Sequence, residues 1–179
     1  MSFEKDQYNI ETKRLILRKL IIDDAFEMFS SWASDEDVAK YMTWNPHKNI
    51  EETKMILSMW VKEYENPKTL RYGITLKHTN QLIGSIDVVG YRFDCPVIGY
   101  CLSKEHWNNG YMSEALSSLI ERIFSLGYKK ILIEADENNI GSNRVIQKCG
   151  FKFIRKETKQ NSRLKPYMIT VNWYELVKQ

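Results

Sequence analysis

A short apolar strand that runs through a glycine-bearing loop into a long amphipathic helix, all between Val97 and Leu126, leaves few folds open to this chain. The strand reads Val97-Ile98-Gly99-Tyr100-Cys101-Leu102, the loop His106-Trp107-Asn108-Asn109-Gly110-Tyr111, and the helix begins Met112-Ser113-Glu114-Ala115. Apolar residues at 112, 115, 116, 119, 120, 123 and 124 recur at the spacing of one helix face, and Gly127 follows as a stop. The first turn of such a helix has backbone N–H groups without partners and the positive end of the helix dipole, while Gly110 lets the loop fold close around an anion. The stretch is read as a pyrophosphate cradle. The same order of elements also serves other nucleotide sites, and an ordinary turn capping a core helix has the same outline.

A chain of 179 residues can bury one sizeable core and is too short for two full domains, so residues 1–179 are expected to form a single domain. Hydrophobic residues at 43% and a net charge of +3, without any Lys/Arg stripe, indicate a globular protein and argue against nucleic acid as the main ligand. Met1 to Ile10 is polar and no apolar run reaches membrane length, so neither a secretory signal nor a membrane partner is expected, and the expected location is cytoplasmic. Cys95, Cys101 and Cys149 have no metal-site or disulfide spacing and are read as thiols, Cys101 as a small strand residue. No metal is expected.

Glu11 to Leu20 alternates about Leu15 and Leu17 and reads as a first strand. Asp23 or Asp24 can cap a helix through Phe26, Met28, Phe29 and Trp32; Asp35 to Met42 reads as a short helix, and Ile50 to Tyr64 as a longer one ended by Pro67. These inserted helices would lie as a lid over one end of a sheet, with Trp44 and His47, in the break after Met42, divided between packing and lining a pocket. Strands over Arg71 to Leu76 and Gln81 to Tyr91 join through Lys77 to Asn80. Lys130 to Ala135 is a fifth strand, a helix ends at Gly150, and strands near Phe151 to Thr158 and Pro166 to Tyr174 complete the chain. The fold class is α/β (α+β): one mixed, mostly antiparallel sheet of six to seven strands flanked by about four helices.

Gly99-Tyr100-x-Leu102, followed by Trp107-x-x-Gly110-Tyr111-x-x-Glu114-Ala115-Leu116, resembles the coenzyme A loop of the GNAT N-acetyltransferases, in the RimJ/RimL-type branch that acetylates ribosomal-protein N-termini. Trp107 stands where the common pattern has Gln or Arg, and Met112 where it has a second small residue. Thr12-x-Arg14-Leu15-x-Leu17-Arg18 resembles the opening of the same branch, and Asn139-x-x-Ser142, continuing to Lys148-x-Gly150-Phe151, its Asn/Ser signature. Apart from the family, Asn139 is a good N-cap and Gly150 a helix stop.

The resemblance implies a sheet splayed between its fourth and fifth strands, with the pantetheine arm of acetyl-CoA pairing like an added strand along Tyr100 to Ser103, and so with Cys101, Leu102 and Ser103. It implies that Trp107, Asn108, Asn109, Gly110, Tyr111, Met112 and Ser113 hold the diphosphate. Asn139 would bind the pantetheine amide, and Ser142 would give a proton to the departing sulfur, with water or a tyrosine such as Tyr167 as the alternative donor. Backbone N–H groups near Leu102 would hold the oxyanion. Many relatives of this kind carry a Glu where this chain has Val97, which leaves Asp87, Glu134 and Asp136 as candidate bases, each also readable as a surface or capping carboxylate.

The implied activity is direct transfer of acetyl from acetyl-CoA to a primary amine, on a protein N-terminus or a small molecule, by a monomer or homodimer. Met112 and Val97 motivate an alternative, a non-catalytic acyl-CoA-binding module of the same fold. An unrelated nucleotide-binding protein is disfavoured, because no Lys follows Gly110 and no acidic ribose-binding residue is placed for a dinucleotide.

Overall fold

The structure is a computed structural model that describes residues 8–179. The expected first strand is two strands folded on one another, β1 (Ile10–Glu11) and β2 (Leu15–Arg18). Thr12 makes the turn: its N–H donates to the Leu15 carbonyl, and its hydroxyl accepts from the Leu15 N–H, each at 2.9 Å. Alternation carries through such a turn, so the pattern did not reveal it.

After β2 a 3-10 turn leads into α1 (Ala25–Met28), which continues as a π turn over Phe29–Ala33. The short helix expected to reach Met42 ends sooner, as α2 (Glu36–Ala39), and its N-terminus is capped by the Asp35 carboxylate. The third lid helix, α3 (Ile50–Glu63), follows as read, with Asn49 as its cap. The remaining elements are β3 (Arg71–Leu76), β4 (Leu82–Arg92), β5 (Cys95–Leu102), α4 (Tyr111–Ser125), β6 (Lys130–Asp136), α5 (Ile140–Lys148), β7 (Lys152–Gln160) and β8 (Met168–Val177).

One sheet of eight strands runs in the order β1-β2-β3-β4-β5-β6-β8-β7, antiparallel throughout except where β5 meets β6. The strand beyond the expected six to seven is the two-residue β1. One face packs on α4, where Leu116, Leu119 and Ile123 are fully buried against Ile74, Ile86, Ile98 and Ile133. Each such side chain is worth about 1.5–3 kcal/mol relative to exposure, which makes this the main core. The lid helices cover the other face through Met28, Trp32 and Leu57, which pack with Leu82 of β4.

The β5–β6 ladder consists of two pairs, Val97 with Leu132 and Ile98 with Ile133. Beyond them β5 stays with β4 as far as Leu102 opposite Gly84, while β6 stays with β8 as far as Asp136 opposite Val171. Each strand is held by its outer neighbour, and a gap opens between them.

Candidate active site: two cavities that meet at the strand gap

The Ser103 N–H donates to the Ile83 carbonyl at 2.8 Å. Because bonded and non-bonded pairs alternate along an antiparallel ladder, the backbone groups of Gly99 and Cys101 also face β4, and those of Tyr100 and Leu102 face the gap. The free edge expected over Tyr100 to Ser103 is therefore narrower. Leu102 also gives its carbonyl to the Trp107 indole N–H, at 2.8 Å. Ser103 is committed elsewhere, its hydroxyl lying 2.6 Å from His106 Nδ1. Cys101 contributes a side chain, whose thiol is pushed up to about 11 by burial and stays protonated at neutral pH.

Gly110 is the N-cap of α4 at φ 77°, and Asn108 also has a left-handed backbone at φ 61°. Two such residues turn the loop so that the first turn of α4 opens onto a cavity of about 560 Å³. Of the expected cofactor residues, Ser103 and Asn109 stand outside the lining of this cavity and the others line it. The Asn109 side chain turns back to the Trp107 carbonyl, at 3.0 Å. Met112 is packed in the main core, which takes up the bulk that motivated the alternative of a non-catalytic module.

Arg14 is a residue the sequence reading did not assign here. Just before β2 and outside the cavity lining, it braces the loop: its Nη1 donates to the Asn109 carbonyl at 2.9 Å, its Nε to Glu114 Oε2 at 2.7 Å, and its guanidinium lies over the Tyr111 ring. Arg144 and Lys148, one turn apart on α5, bring positive charge to the same cavity.

On α5, Asn139 Oδ1 accepts from the Ser142 N–H at 3.1 Å, the capping role read from its position, and its Nδ2 makes no hydrogen bond among the described residues. Asn143 fixes this turn on the sheet: its Nδ2 donates to the Asp136 and Asn139 carbonyls, and its Oδ1 accepts from Asn172 and Tyr174. Ser142 Oγ lies 2.8 Å from the Tyr100 hydroxyl. Burial raises the Tyr100 pKa far above the ordinary phenol value, so it remains a proton-bearing group. Tyr167, the tyrosine named from sequence, is half exposed beside Asn161 and lines neither cavity. The tyrosine beside Ser142 is Tyr100, a contact between strand and helix that no local pattern announces.

A second cavity, of about 430 Å³, lies under the lid and is lined by Trp32, Trp44, His47 and Trp60. The two cavities share Tyr41 and Met42 of the lid and Tyr100, Cys101, Asn139 and Ser142 at the gap. The His47 imidazole sits 2.7 Å from the Thr53 hydroxyl, and burial lowers its pKa, which keeps it neutral at neutral pH. The loop between β7 and β8 clasps the lid: Ser162 Oγ donates to the Thr43 carbonyl at 2.6 Å, and the buried Lys165 ammonium to the Ala39 carbonyl at 2.6 Å. Asp87, Glu134 and Asp136 all line this second cavity. Val97, at the position where a Glu was looked for, packs with Leu132, Val171 and Trp173.

Among the described residues no helix is long and apolar enough to cross a membrane. Compared with known proteins, residues 14–152 match the family model described as acetyltransferase (GNAT) domain. The chain is 33% identical over 175 residues to an uncharacterized N-acetyltransferase, YoaA, of Bacillus subtilis, covering 94% of this chain and 96% of that one. A structure described as a putative ribosomal-protein-serine acetyltransferase from Vibrio cholerae superposes with a TM-score of 0.83 at 20% identity, over 96% of this chain and 98% of that one. RimL, a ribosomal α-N-protein acetyltransferase solved in complex with coenzyme A, superposes with a TM-score of 0.82 at 20% identity, over 94% and 97%.

Proposed function

Because the chain belongs to the GNAT acetyltransferase family and is an acetyl-CoA-dependent acyltransferase, we propose that its acceptor is a primary amine, on a protein N-terminus or a small molecule, attacking the thioester directly in a ternary complex. The observation that carries this reading is the junction of the two cavities at Tyr100 and Ser142. One cavity has the cradle and the free strand edge; the other has aromatic walls and carboxylates. Two substrates held on opposite sides of one gap are brought together as in an intramolecular reaction.

The cradle fits a diphosphate, since a left-handed Gly110 turns the first-turn N–H groups of α4 toward a cavity that Arg144 and Lys148 also line. The backbone of Tyr100 and Leu102 fits an extended amide-bearing arm, and the unused Asn139 Nδ2 fits one of its carbonyls. The Leu102 N–H, facing the gap, is placed to donate to the developing oxyanion. Ser142 gives its proton to the leaving sulfur while the Tyr100 hydroxyl donates to Ser142 Oγ and holds its orientation.

The test has two arms. Thermal unfolding with acetyl-CoA, ATP and NAD should show stabilisation by acetyl-CoA, growing with its concentration. Thiol release over an amine panel should then identify the acceptor. Stabilisation by NAD or ATP in place of acetyl-CoA would overturn the reading.

A further inference from the structure

Three carboxylates line the acceptor cavity, and their partners separate them. Asp136 Oδ1 is occupied by the Asn138 backbone N–H at 2.8 Å and side-chain N–H at 3.1 Å, so it shapes the turn before α5. Glu134 Oε1 is held by the Lys159 ammonium, while its Oε2, like Asp87 Oδ2, is buried without a hydrogen bond among the described residues, so place in the sheet decides between these two. Asp87 is different. It lies on β4 opposite Gly99, and Gly99 is the first residue of β5 past the last pair with β6.

Strand alternation puts Asp87 and Gly99 on the same face as Ser85 and Cys101, whose side chains meet at 3.4 Å. That face looks into the acceptor cavity, which Asp87, Gly99 and Val89 all line. Gly99 carries no side chain, and Val89 leans over the place where a Cβ would stand, 2.6 Å from its Cγ1. The carboxylate is thus about one strand spacing, roughly 5 Å, from the gap. Arg71 Nη1 forms an ion pair with Asp87 Oδ2 at 2.7 Å, and no side chain other than Arg71 holds the carboxylate among the described residues. The Arg71 guanidinium is also shared with Glu63 at 3.1 Å and stacked on Trp60 at 4.4 Å.

We infer that Asp87 is the group that takes the proton from the acceptor amine, directly or through one water, an assignment that rests on the acetyltransferase reading above. The acceptor arrives as an ammonium ion and leaves as an amide, losing two protons from nitrogen. The first passes to the Asp87 carboxylate and on to solvent. The free amine then forms the C–N bond, the C–S bond breaks, and the second proton balances the one that the sulfur receives through Ser142. Burial pushes the Asp87 carboxyl up to about 6 against the opposing pull of Arg71, so at neutral pH it is ionised and still basic enough to act. The other groups facing it are Glu63 and Tyr64 at the end of α3, the protonated Cys101 thiol on β5, neutral His47 from the lid, and the Glu134–Lys159 pair across the cavity.

The test is the pH profile of kcat/KM for wild type, Asp87→Asn and Asp87→Glu, read by coenzyme A release with glycinamide, n-butylamine, phenethylamine and a serine-led pentapeptide as acceptors. Wild type should show an acidic limb near pH 6 and then a plateau. Asp87→Asn should lose on the order of 10²-fold at neutral pH and climb about tenfold per pH unit toward the acceptor's own pKa, the loss shrinking as free amine accumulates. Asp87→Glu should keep an acidic limb at a lower rate, and so decides the matter should the Asn variant fold poorly. Stabilisation by acetyl-CoA should be the same in all three. An Asn variant with the wild-type profile, or a Glu variant without the limb, overturns the Asp87 assignment alone. Wild type that binds acetyl-CoA but releases no coenzyme A with any of these amines overturns the transfer reading, and the assignment with it.

Discussion

The Tyr100 hydroxyl lies 2.8 Å from Ser142 Oγ, so β5 and the first turn of α5 are joined across the strand gap by a pair of hydroxyls. The same hydroxyl lies 3.3 Å from the Ser142 carbonyl, so its one proton is shared between two oxygens of the serine.

Ser142→Ala should lower kcat and kcat/KM together, by something on the order of 10²-fold, because a proton donor acts only as the thiolate leaves. Stability should change little, since Ala is the better helix former. Tyr100→Phe should give a smaller loss, and the double variant should lose less than the product of the single losses, because both act on one proton. Thiol release at saturating acetyl-CoA measures all three. Near-normal turnover in Ser142→Ala would remove it from this role.

Gly110→Val should abolish stabilisation by acetyl-CoA. At φ 77° a β-branched residue is strained, and relief of the strain would turn the first N–H groups of α4 away from the cavity. Thermal unfolding with and without acetyl-CoA measures this. A folded variant with the wild-type shift would place the diphosphate elsewhere.

Asn139 carries a cap and a free amide on the same side chain, and Asn139→Asp separates them. Asp caps as well as Asn, so the melting temperature of the free protein should stay close to that of wild type. The lost Nδ2 donor and the added negative charge should weaken acetyl-CoA binding by about tenfold. Titration calorimetry decides: unchanged affinity would leave Asn139 with the cap alone.

Glu114 fastens the first hairpin to α4, accepting from the Thr12 hydroxyl at 2.6 Å, the Arg14 N–H at 2.8 Å and Arg14 Nε at 2.7 Å. Burial alone would raise its pKa, but these bonds together hold it below its ordinary value of 4.5. A lowered folded-state pKa contributes stability that is fully present above 4.5 and is lost as the pH falls through the folded value. Glu114→Ala should cost about 1–2 kcal/mol at pH 7, a figure kept small because Arg14 is partly exposed. The difference from wild type should close in acid, as denaturant unfolding at pH 7 and at lower pH would show.

The helix α4 and the turn at Asn139 could be read in advance because their signals are local: an apolar period, a cap, a glycine stop. The hairpin at Thr12 was hidden, since an alternating strand and a strand that folds back at a threonine have the same composition. The β4–β5 turn lies between two strands that the sequence did show. It runs through Phe93 and Asp94 at φ 50° and 60°, where a turn pattern would lead one to look for glycine or asparagine. Within the site, Gly110 and Asn139 were legible through local signals, a left-handed turn and a cap. Tyr100, Arg14 and the separation of Asp87 from Glu134 and Asp136 depend on contacts between distant elements, which no spacing along the chain encodes. Ser103 and Asn109 lay within the right strings, yet their polar groups are used to hold the loop.

The junction of the two cavities is tested most directly by mixing the protein with acetyl-CoA and the amine panel and measuring, in one reaction, the coenzyme A released and the amine acetylated. Equal amounts of the two products, with release dependent on amine, are the expected result. Binding of acetyl-CoA with no acetylated amine from any acceptor, or release of coenzyme A by hydrolysis alone, would contradict it.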